Sequence, residues 1–75
     1  MIVLQLPDGT FRFLTTEEAH QTVERLWVLG LTPGAAVCAV RILEALKVPQ
    51  RLREPVLLDE REAGAARRAL DTWGA

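Results

Sequence analysis

Two side chains of the types that catalysis and metal binding use most occur once each in this sequence, His20 and Cys38. His20 lies three residues after Glu17, a Glu-x-x-His spacing that sets a carboxylate and an imidazole one helical turn apart. Glu24 follows one turn later. Di-iron bundles use such a pair twice, with two further glutamates. A single copy is half a site, so a two-fold dimer would have to supply the rest. The plainer reading is stronger, because four-residue matches recur by chance: His20 flanks a buried face near Val23 and Trp27, and the glutamates are ordinary helix-surface charges. Cys38 could serve as a nucleophile if His20 came within reach as its base. Its neighbours Val37, Ala39, Val40 and Ile42 instead predict a hidden thiol with a raised pKa, whereas reactive cysteines sit in exposed, electropositive places.

Absences narrow the chemistry further. The 75 residues include no Ser, Tyr or Asn, one His and one Cys, so neither a Ser-His-Asp triad nor a Cys-rich zinc site can be assembled within the chain. A lone cysteine forms no intrachain disulfide. With no basic segment followed by a cleavable apolar one at the amino end, a cytoplasmic location is expected. Asp8-Gly9 and Pro33-Gly34 are turn and cap chemistry and lack the spacing of a phosphate-binding loop. The sequence therefore predicts no catalytic activity, no cofactor and no metal.

Lys47, Arg51 and Arg53 make the only local run of positive charge, around Pro49, and are the candidate phosphate contacts. Arg12 and Arg25 against Asp8, Glu17, Glu18 and Glu24 leave residues 1–38 at −2 and the remainder at +1. This is far from the basic footprint of a nucleic-acid binder, and Glu44, Glu54, Glu60 and Glu62 dilute the patch. Residues 16–47 superficially resemble a helix-turn-helix. The start of the second helix, Pro33-Gly34-Ala35-Ala36-Val37, offers no side chain able to read a base edge. A nucleic-acid-associated regulator using Lys47, Arg51 and Arg53 is the second reading, and a metal or thiol site at His20 and Cys38 the third.

The elements that hold these residues have clear punctuation. Residues 2–6 and 10–14 read as a hairpin about Pro7-Asp8-Gly9, with Phe11 and Phe13 on one face and Arg12 on the other. Thr15 and Glu18 form a capping box for a helix over 16–29, whose inner face would be Ala19, Val23, Leu26 and Trp27, and Gly30 stands at its stop. Thr32-Pro33 opens a second helix that runs to Lys47 and ends before Pro49. Residues 50–54 are a connector or helical turn, and 55–58 a candidate third strand. Asp59 and Glu62 cap a last helix with an Ala63, Ala66, Leu70 and Trp73 seam, stopped by Gly74. The expected fold is α+β, an N-terminal hairpin packed on about three helices in the order β-β-α-α-(β)-α, in one small domain over 1–75.

Size sets the remaining problem. A chain this short buries only about 60–65% of its unfolded surface, yet it is 49% apolar and 25% charged, with a net charge of −1 and a mean hydropathy of +0.12. Only Arg41 and Glu44 are polar between Ala35 and Leu46; a helix apolar nearly all round is central in its domain or in an oligomer. Glycine, threonine and proline interrupt residues 26–40, so no membrane span is expected. Eight arginines against one lysine suggest a GC-rich genome. The lack of Asn and scarcity of Met and Cys are features of heat-adapted proteins. The four aromatic residues, Phe11, Phe13, Trp27 and Trp73, are expected in the core, with an alternative in which Trp73 projects toward another subunit beside Arg67 and Arg68. The leading expectation is a small protein-protein interaction module, a homodimer or a subunit docking onto a larger partner, with Val37, Val40, Leu43, Leu70 and Trp73 at the interface. Strand addition at the open hairpin edge is a further mode of association.

Overall fold

The computed structural model describes residues 1–29 and 33–71. Its elements are β1 (Ile2–Gln5), β2 (Phe11–Leu14), α1 (Thr16–Leu29), α2 (Pro33–Lys47), a 3-10 turn (Gln50–Leu52), β3 (Val56–Leu57) and α3 (Glu60–Asp71). The fold is α+β with helices dominant, in the expected order. The third strand is real but two residues long. Gly30, Thr32, Trp73 and Gly74 lie outside the described residues.

The hairpin forms because its turn is chemically complete. Gly9 takes φ +89°, which favours glycine, and its N–H donates to the Leu6 carbonyl at 3.0 Å while the Leu6 N–H donates to the Thr10 carbonyl at 2.9 Å. Asp8 Oδ1 accepts from the Thr10 N–H at 3.0 Å and from its hydroxyl at 2.6 Å. This three-residue loop fixes the register, with Ile2 opposite Leu14, Val3 opposite Phe13, Leu4 opposite Arg12 and Gln5 opposite Phe11.

β1 is the central strand. The sheet order is β2-β1-β3, and β3 returns parallel to β1 through the two helices, with Leu4 beside Val56 and Gln5 beside Leu57. Because side chains alternate across a strand, Ile2, Leu4, Leu6, Leu14, Val56 and Leu58 all fall on one face, and all are buried. The helices cover that face.

Both capping boxes form. The Thr15 N–H donates to Glu18 Oε1 at 2.9 Å and the Glu18 N–H to Thr15 Oγ1 at 3.1 Å. Asp59 and Glu62 repeat the exchange at 3.2 and 2.8 Å. Small side chains then let the helices approach closely. Ala19 of α1, Ala35 and Ala39 of α2, and Ala63, Ala66 and Ala69 of α3 are all buried. A Cβ at Gly34 would stand 2.8 Å from the Arg61 carbonyl oxygen, so glycine permits the α2–α3 crossing. Two ion pairs tie the hairpin to α3, Arg12 to Asp71 at 3.2 Å and Arg67 to Asp8 at 3.4 Å. Being exposed, they contribute orientation more than stability.

Candidate functional site

The residues singled out for chemistry do not assemble. His20, Glu17 and Glu24 are exposed along α1, and among the described residues no group of three His, Cys, Asp or Glu side chains is placed to hold a metal ion. Cys38 is fully buried on α2, whereas His20 is exposed. Its thiol is pushed up to about 12, chiefly by burial and then by the nearby Glu62 carboxylate, with Arg41 pulling in the opposite direction. A thiol held protonated in this way is no nucleophile at neutral pH.

The basic run divides into one anchored residue and two exposed ones. Arg53 Nε donates to the Val48 carbonyl at 2.8 Å and Nη2 to the Leu46 carbonyl at 3.2 Å, so the guanidinium satisfies carbonyls at the end of α2. Its Nη1 donates to Gln50 Oε1 at 2.7 Å and to the Met1 carbonyl at 3.4 Å, and Gln50 Oε1 also accepts from the Met1 amino group. Arg53 thereby joins the end of α2, the 3-10 turn and the start of β1. Lys47 and Arg51 are exposed.

The expected apolar surplus is partly resolved within the chain. α2 buries Ala35, Cys38, Ala39 and Ile42 against the rest of the molecule. Leu43 of α2 and Leu70 of α3 are half-buried and pack on the core. Val37 and Val40 remain open, at 50% and 44% exposure. α2 is therefore central on one side only.

The aromatic residues depart from expectation. Phe11, Phe13 and Trp27 are not core residues but large exposed hydrophobics. The turn register accounts for the first two: it places Phe11 opposite Gln5 and Phe13 opposite Val3, on the face away from the helices. Their rings stack with centroids 6.4 Å apart. Leu57 lies beside Gln5 on the same face and is exposed as well. The signal was present in the hairpin, since a loop that pairs Leu6 with Thr10 sets Phe11 against the polar Gln5. On α1 the buried arc is Ala19, Thr22, Val23 and Leu26. The Thr22 hydroxyl donates to the Glu18 carbonyl at 2.7 Å, which lets a polar residue occupy an inner position, and Trp27 falls at the edge of the arc.

Two uncovered apolar surfaces result. One is the outer face of the sheet, with Val3, Phe11, Phe13 and Leu57. The other is scattered over the helices, where Trp27 and Val28 near the end of α1 and Val37 and Val40 on α2 are exposed. A groove of about 340 Å³ lies between the start of α2 and α3, lined by Pro33, Gly34, Arg61, Gly64 and Arg68 among others; it is open and follows from the close helix crossing at Gly34. No described helix is long and apolar enough to cross a membrane. Compared with known proteins, the chain matches no family model, no curated protein and no solved structure.

Proposed function

We propose that this chain is a protein-protein interaction module that self-associates or docks onto a larger partner and performs no reaction of its own. The observation that carries the reading is the uncovered apolar outer face of the sheet, where Phe11 and Phe13 stack and Leu57 is exposed beside them. Scattered exposed hydrophobics are ordinary, but contiguous apolar patches mark contact sites. Tryptophan and phenylalanine at such places supply large contact area with few rotatable bonds. The chain's charge pattern adds no competing reading, because Arg53 is engaged by the fold and only Lys47 and Arg51 of the basic run stand free to meet phosphate.

Sedimentation of the purified protein at low micromolar concentration, together with affinity purification from its source, tests the role. The expected result is a dimer, or a defined stoichiometric complex that Val37→Lys or Phe13→Lys disrupts without loss of helical signal. A well-folded strict monomer that brings down no partner would sink the reading.

A further inference from the structure

We draw no further inference here: the strongest candidate, the bare outer face of the sheet with the stacked rings of Phe11 and Phe13 and the exposed Leu57, carries nothing beyond the interaction role already proposed, because nothing in the structure shows what covers it.

Discussion

Arg41, midway along α2, reaches across to the carboxylate of Glu62 in the first turn of α3, its Nη1 lying 2.9 and 2.8 Å from the two oxygens. Glu62 is nearly enclosed, its side chain 5% exposed against 38% for Arg41. The same carboxylate also accepts from the Asp59 N–H. One side chain thus caps α3 and fixes it to α2.

This relationship predicts an asymmetry between single and paired substitutions. Arg41→Met leaves a buried carboxylate without its cation and should cost about 3 kcal/mol. Arg41→Met/Glu62→Met removes both charges and adds apolar volume, so it should lie within about 1–2 kcal/mol of the parent, the residual reflecting the lost cap. Urea melts of the two singles and the double close the cycle. Additive losses would mean that the two residues do not act on each other.

The pair also shows what sequence reading can and cannot recover. Glu62 was legible as the second half of a capping box, and Arg41 as a polar break in an apolar helix, because both signals are local. Their meeting depends on the crossing of α2 with α3, and no spacing within either helix encodes it. The strands follow the same division. Turn chemistry at Asp8-Gly9 fixed the hairpin and its register, yet which face the helices cover is decided by Ile2, Leu4 and Leu6 together with Leu14, and that choice exposed Phe11 and Phe13. Trp27 was misplaced because the buried arc of α1 is centred on Ala19, Thr22, Val23 and Leu26, which sets position 27 at its edge rather than within it.

Two glycines in helices should respond in opposite ways to alanine. At Gly64 an added Cβ meets nothing within 4 Å, so Gly64→Ala should stabilise by about 0.5–1 kcal/mol through helix propensity and a less flexible unfolded chain. At Gly34 the same atom would stand 2.8 Å from the Arg61 carbonyl oxygen and 2.9 Å from its carbon. Backbone cannot swing aside as a flexible side chain can, so Gly34→Ala should cost about 1–3 kcal/mol despite the better propensity. Thermal melts of the two variants decide this. Equal shifts of the same sign would contradict the close α2–α3 approach.

Cys38 gives the fold an alkaline weakness. Its folded pKa is raised to about 12 from 9.0, chiefly by burial, so above pH 9 the unfolded chain loses a proton that the folded chain keeps. A raised folded pKa contributes stability that is complete below the unfolded value and is lost as pH climbs toward the folded one. Between those limits the loss approaches about 1.4 kcal/mol per pH unit. Comparing parent and Cys38→Ala by urea melts from pH 8 to pH 10 isolates this slope from other titrations, and the difference between the two should narrow or reverse as pH rises. At pH 8 the native thiol should react with a disulfide reagent only as fast as the domain opens. Stoichiometric labelling within seconds, under conditions where the protein stays folded, would show that the thiol is accessible.

The basic run around Pro49 separates by experiment into a structural arginine and free surface charges. Arg53 donates to two carbonyls at the end of α2, to Gln50 and to the start of β1, and Arg53→Ala leaves those acceptors to water at the point where three segments meet. A loss of about 2 kcal/mol is expected, since hydrogen bonds to charged donors are worth about 1.5–3 kcal/mol each and exposure here returns part of that. Lys47→Ala and Arg51→Ala should each stay within about 0.5 kcal/mol, as exposed positions usually do. Hydrogen exchange adds a spatial check, because only Arg53→Ala should speed exchange in the last turn of α2 and at the Leu52 and Arg53 amides, which donate to Pro49 and Gln50 carbonyls. Equal, small effects at all three positions would show that the guanidinium anchors nothing, and would return Arg53 to the set of charges free to meet an anionic partner.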